Sequence, residues 1–160
     1  MSKRYKIKSF LFLTALLIQV AAISQAKYSK KIVVAADGSG DYKTIQGALN
    51  SLPDSATTPR LIFVKNGRYA EKIYLEKTNV IIEGEDREKT ILVASIARDE
   101  WRCGHTDDWG VATLNVGASD LTLKNLTITN DFGFDFKEKT IWCASDTSAN
   151  KQKTLRKDGH

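Results

Sequence analysis

Apolar residues along this chain come in short bursts rather than long amphipathic stretches. Ile32 to Ala35 is a β-branched run that stops at Asp37-Gly38-Ser39-Gly40, whose glycines can take positive φ, so it predicts a strand entering a turn. Behind the turn the period changes. Tyr42, Ile45, Ala48, Leu49 and Leu52 recur at helical spacing, Asp41 stands where an N-cap belongs, and Pro53 prevents continuation, which predicts a single amphipathic helix.

The rest is strand-like. After a polar connection from Asp54 to Pro59, Leu61-Ile62-Phe63-Val64 is continuously apolar, as in a strand buried on both faces, and Asn66-Gly67 turns the chain. Ile73 and Leu75 alternate with Tyr74 and Glu76. Val80-Ile81-Ile82 stops at Glu83-Gly84, Thr90-Ile91-Leu92-Val93 repeats the form, and Ala112 to Val116 with Leu121, Leu123, Leu126 and Ile128 completes the set. From Phe132 to Gly159 the chain reads as a long loop, with Phe132, Phe134 and Phe136 alternating before Ser, Asp, Thr, Asn and Lys take over. Asn125-Leu126-Thr127 matches a glycosylation sequon inside a predicted strand.

Short strands with one early helix argue against a βαβ fold, which places a helix between each parallel pair. A β-sandwich and a solenoid both fit this spacing. Asn79-Val80-Ile81-Ile82 and Asp120-Leu121-Thr122-Leu123 each read as a polar corner feeding a strand, and one amphipathic helix suits a cap on the end of a coil stack, both of which lean toward the solenoid.

Residues 1–26 read as an export signal: Lys3, Arg4, Lys6 and Lys8 form a basic start, Phe10 to Ile23 is a nearly unbroken apolar run, and Ser24-Gln25-Ala26 is a cleavage site. A membrane anchor is the competing reading, but the run is short against the about 20 apolar residues of a bilayer span. The chain of 160 residues carries +5; four of its 24 basic residues and none of its 19 acidic ones lie in the signal, so the mature part, 20 against 19, is near +1. Such a balance gives no reason to expect nucleic acid as a partner, nor a membrane after cleavage. The late cluster Lys151, Lys153, Arg156 and Lys157 suits either an acidic polysaccharide or a solvated loop. Cys103 and Cys143 lie in the exported part without the spacing of a zinc or redox motif, and are either bridged or free; a bridge would contribute on the order of 3–4 kcal/mol.

From Ile96 to Gly110 the strand pattern breaks into Arg98-Asp99-Glu100-Trp101-Arg102-Cys103-Gly104-His105-Thr106-Asp107-Asp108-Trp109, charge mixed with two tryptophans. Over a solenoid groove this suits sugar, since indole faces stack on pyranose rings and Arg or Asp bonds hydroxyls and carboxylates; equally, it is a loop pinned by its own tryptophans. His105 with Asp107 and Asp108 lacks a second histidine, so no metal is expected there.

Val33-Val34-Ala35-Ala36-Asp37-Gly38-Ser39-Gly40-Asp41-Tyr42-Lys43-Thr44-Ile45-Gln46-Gly47-Ala48 closely resembles the opening of pectin methylesterases, and Gly67-Arg68-Tyr69-Ala70-Glu71 matches the second signature of that family, Gly-x-Tyr-x-Glu. The resemblance runs from about Ile32 to Asn130. It implies an all-β fold, a right-handed parallel β-helix (solenoid) with an N-terminal capping helix, here truncated: residues 27–160 fall well short of the length the family uses and are read as its N-terminal part. It also implies export, a monomer at full length, pectin (methylated homogalacturonan) as partner, and hydrolysis of galacturonate methyl esters to methanol without a cofactor.

In that family one Asp attacks the ester carbonyl, a second acts as general acid and then base, and glutamines stabilise the oxyanion. Two neighbouring carboxylates do not both ionise easily, so one can donate while the other attacks. None of these residues has a matching position here: Leu126-Thr127-Ile128-Thr129-Asn130 resembles the strand leading toward them, Asp131-Phe132-Gly133 departs from the family pattern, and the catalytic set is expected beyond His160. Asp107, Asp108, Asp131 and Asp135 are therefore not assigned to catalysis. By the resemblance, Asp108 occupies the place of a substrate-contacting Thr, with Thr106 close by, and Thr106, Asp108 and Trp109 are the expected sugar contacts; Gly67 and Tyr69 are expected to shape a corner.

Overall fold

The computed structural model describes residues 28–134, 138–143 and 151–155. The elements are β1 (Lys30–Val34), α1 (Ile45–Asn50), β2 (Arg60–Val64), β3 (Gly67–Ala70), β4 (Ile73–Leu75), β5 (Val80–Gly84), β6 (Thr90–Ala94), α2 (Arg98–Arg102), a 3-10 turn (Trp109–Val111), β7 (Leu114–Val116), β8 (Leu121–Lys124), β9 (Thr127–Asn130), β10 (Lys139–Trp142) and β11 (Gln152–Leu155).

Three parallel sheets, β1-β2-β5-β8, β3-β6-β9 and β4-β7, wind the chain into a right-handed parallel β-helix. Register is set by stacking of like on like. Ile32, Ile62, Ile82 and Leu123 lie in one column, Tyr69, Leu92 and Ile128 in another, and Ile73 meets Leu114. Period-two strands turn these columns inward into one core with Val34, Val64, Leu75 and Val80. The run at Leu61–Val64 is buried less evenly than its composition suggests: Phe63 stays half-exposed beneath Lys31 Nζ, 4.9 Å from the ring centroid. Asn79 (φ 52°) and Asp120 (φ 60°) are the polar corners feeding β5 and β8, in a left-handed conformation their side chains tolerate.

The first coil is finished by groups from outside its own sheet. Asp41 does not cap α1: its carboxylate accepts from Val33 N at 2.8 Å and Asp41 N donates to Val33 O, so Asp41 satisfies the free edge of β1. Gly40 is required there, since a Cβ would lie 2.6 Å from Val33 O. Thr44 is the N-cap, accepting from Gly47 N at 3.1 Å, and α1 stops at Asn50 with Leu52 buried just beyond it. Its first turn carries no acid. Glu71 supplies one, accepting from Ile45 N (2.8 Å) and Gln46 N (2.9 Å). Gln46 in turn pairs its side-chain amide with both backbone groups of Tyr74, giving β4 the bonds a neighbouring strand would give.

Three expectations are corrected. Gly67–Ala70 is strand, not corner, because Tyr69 is a core residue whose hydroxyl donates to Lys65 O at 2.9 Å. Asn125 of the sequon lies not in a strand but at the exposed bend between β8 and β9, with φ 48°. Within the stretch read as a loop, β10 and β11 form an antiparallel ribbon; the preceding residues Asp135 and Phe136, and the N-terminal signal stretch, lie outside the described residues.

The two ends of the stack differ. α1 covers the first, whereas among the described residues β7, β8 and β9 form the last rung, and its inward positions Val116 (46%), Leu123 (40%) and Ile128 (37%) are exposed. Unpaired edges with apolar interiors favour association. Light scattering should show concentration-dependent self-association of this chain that Leu123→Lys together with Ile128→Lys suppresses; scattering unchanged by that pair would exclude the rung as its cause. Glu71→Ala should lower unfolding free energy by about 2–3 kcal/mol, since two backbone donors lose a charged acceptor, with Glu71→Gln intermediate in a denaturant titration.

Candidate functional site

Between β6 and β7 the chain leaves the coil stack for an excursion over residues 95–113, which holds all three positions expected to touch sugar. What read as a loop contains α2 and the 3-10 turn. Trp101 organises it: its ring stacks on His105 with centroids 3.6 Å apart, its Nε1 donates to Asp107 Oδ1 at 3.0 Å, and Gly110 packs so closely against it that a Cβ there would fall 1.8 Å from the ring.

Lys72, at the corner after β3, pins the excursion to the stack. Its Nζ donates to the carbonyls of Trp109 and Ala112 and sits 5.3 and 5.4 Å from the ring centroids of Tyr74 and Trp101. Burial pushes its pKa below the ordinary lysine value, opposed by the charge of Asp107. Sequence reasoning missed Lys72, because its partners are backbone carbonyls far along the chain.

Both aspartates serve as struts. Asp108 accepts from Arg98 Nε (3.0 Å) and Nη2 (2.6 Å) and lies 3.3 Å from Arg102 Nε. The Arg98 hydrogen bond holds its carboxyl below the usual range. Asp107 is likewise lowered, first by the backbone N–H of Trp109 and then by the Trp101 indole. Neither is the raised, protonated member that a two-carboxylate acid–base pair needs. Asp131 pairs with Arg68. Among the described residues no three His, Cys, Asp or Glu side chains gather to hold a metal.

Of the expected sugar contacts, then, Asp108 already spends its oxygens on arginines, while Thr106 and Trp109 are exposed. Trp109 keeps its ring 54% exposed although its N–H is held by Asp107 at 2.9 Å and its carbonyl by Lys72. Cys103, the C-cap of α2, is bonded to Cys143, with Cα atoms 4.6 Å apart.

The family model described as Pectinesterase matches residues 31–156. The chain belongs to the pectinesterase family. Pectinesterase A of Dickeya chrysanthemi is 30% identical over 144 residues, 86% of this chain and 38% of the relative. A pectinesterase of Petunia integrifolia is 37% identical over 132 residues, 81% of this chain and 33% of the relative. Among solved structures, the pectin methylesterase of Erwinia chrysanthemi superposes with a TM-score of 0.54 at 32% identity, over 68% of this chain and 32% of its own. A pectin methylesterase variant in complex with a hexasaccharide gives a TM-score of 0.53 with the same identity and coverage. The chain thus spans about a third of the length of the relatives it matches. Both pectinesterase signatures lie inside the matched stretch, and in this structure they bond to each other through Glu71 and the first turn of α1.

The lowered aspartates give the excursion an acid limit. Their contribution is complete above the ordinary carboxylate value of 3.8 and is lost as pH falls through their folded-state values. On acid titration, tryptophan emission should shift before the coil stack unfolds, and Asp107→Asn should produce that shift at neutral pH. Emission that changes only with global unfolding would refute the strut role.

Proposed function

We propose that this chain builds the capped end of an exported pectin methylesterase, and that its excursion meets pectin while the ester-cleaving carboxylates lie outside it. The observation that carries the reading is the family match over 31–156 with both signatures locked together at Glu71. Trp109, Thr106 and the neighbouring excursion surface contact the polysaccharide, the exposed indole stacking on a pyranose ring. The disulfide accords with an oxidising compartment, and no described helix is long and apolar enough to cross a membrane. This stretch alone should be inactive: Asp107 and Asp108, both with lowered pKa, serve as struts, and neither offers the protonated partner of a two-carboxylate pair.

A second reading, a pectin-binding β-helix with no catalysis of its own, is favoured specifically by the exposed, backbone-anchored Trp109. Two assays test what the readings share. Affinity electrophoresis in methyl-esterified pectin should retard the 160-residue chain, and Trp109→Ala should weaken binding about tenfold, equivalent to about 1.4 kcal/mol. The same chain should release no methanol above buffer; turnover abolished by Asp107→Asn or Asp131→Asn would overturn the assignment of catalysis elsewhere. Reading the transcript past the codon for His160 then decides between the two: a frame continuing into a Gln-Asp pair and Arg-x-Trp supports the esterase.

A further inference from the structure

The β10–β11 ribbon has two unlike faces. Ile141 and Lys153 are cross-strand partners on the inner face, with Lys139 and the buried Leu155 beside them. This face meets α2 through three links: the Cys103–Cys143 bond, Lys139 Nζ to Glu100 Oε1 at 2.8 Å, and Lys153 Nζ to Asp99 Oδ1 at 3.1 Å. A two-stranded ribbon is marginal by itself, and exposed ion pairs contribute about 0–1 kcal/mol each, so the covalent link dominates the docking.

Among the described residues the outer face has no such link. Trp142 projects there with 65% of its surface exposed, opposite Gln152, with the hydroxyls of Thr140 and Thr154 3.3 Å apart beside it. Lys151 Nζ lies 5.7 Å from the Trp142 ring centroid, and its backbone is fixed by Cys143 N donating to Lys151 O at 2.6 Å. Trp142 is not part of the hydrophobic core cluster. An exposed indole with a cation over one face, near an amide and two hydroxyls, is the complement of a sugar ring bearing a carboxylate: its C–H face stacks on the other indole face, its carboxylate reaches the ammonium past the ring edge, and its hydroxyls meet the amide and threonines.

We propose that the outer face of the β10–β11 ribbon, centred on Trp142 and Lys151, binds a free galacturonate unit of the polymer, and that the Cys103–Cys143 bond presents it. This rests on the pectin reading above and deepens it: the ribbon takes the acidic sugar, the chemistry of the family's product, at a place distinct from Trp109. Charge makes the preference. A methyl-esterified unit keeps the stacking and loses the attraction to Lys151.

Calorimetry of the oxidised 160-residue chain with unesterified hexagalacturonate, its methyl-esterified form and a neutral galactan oligomer tests this. Affinity should follow acidic, then esterified, then neutral. Trp142→Ala should weaken binding of the acidic hexamer about tenfold or more. Lys151→Met should remove the preference over the esterified hexamer and flatten the salt dependence, and reduction of the disulfide should weaken acidic-hexamer binding while circular dichroism of the coil stack is unchanged. If Trp142→Ala binds within about twofold of the parent while Trp109→Ala loses affinity, the ribbon proposal falls and the pectin reading stands. If the parent chain binds none of the three sugars, both fall. Equal affinity for acidic and neutral sugars with no effect of Lys151→Met overturns the uronate assignment even if Trp142 matters.

Discussion

One carboxylate holds the beginning of this fold together. Glu71 accepts from two adjacent amides at the N-terminus of α1, a helix of six residues that has no acid of its own in its first turn. So short a helix is marginal in water, and those donors have no intrahelical partners. Once Glu71 has seated it, Ile45, Ala48 and Leu49 close the core, and Gln46 completes the edge of β4 at Tyr74. The capped end is therefore a polar construction with an apolar consequence: two sets of hydrogen bonds across more than one coil decide whether the hydrophobic columns have a lid.

The excursion follows similar logic. Its charged residues look like chemistry but act as struts, because each carboxylate faces donors that favour its ionised form: Arg98 and Arg102 for Asp108, the Trp109 N–H and Trp101 indole for Asp107. Lys72 then ties the excursion to the stack through backbone carbonyls. Rigid scaffolding of this kind leaves large side chains standing in solvent, Trp109 and Trp142 among them. Aromatic rings with fixed backbones lose little freedom on meeting a ligand, which is why a sugar contact made through them is efficient.

The proposed function divides labour along the solenoid. This stretch supplies a closed end, a disulfide-linked flank and aromatic surface, while its last rung offers β7, β8 and β9 with inward residues half in water. The ester hydrolysis proposed for the whole enzyme needs two carboxylates poised at different pKa values, and Asp107 and Asp108 are both lowered.

Much of the architecture was legible in the chain. Strand runs, the first helix and the polar corners at Asn79 and Asp120 follow from local period and turn chemistry, which operate over a few residues, and the resemblance to pectin methylesterases rested on two contiguous motifs; α2 had no such local signal. Misreadings arose where a residue's partner lies outside its own element. Asp41 has the composition of a cap, yet Thr44 caps and Asp41 serves the edge of β1; Tyr69 sits in a motif read as a corner, yet the column of Leu92 and Ile128 draws it inward. The β10–β11 ribbon belongs to the same class, held by a bond to a cysteine 40 residues away. The sequence by itself determined which segments extend, coil or turn, because backbone preference and hydrophobic period are local properties. Only the tertiary structure decided what each polar side chain does, because stacking of coils brings together donors and acceptors whose separation along the chain carries no signal of their meeting.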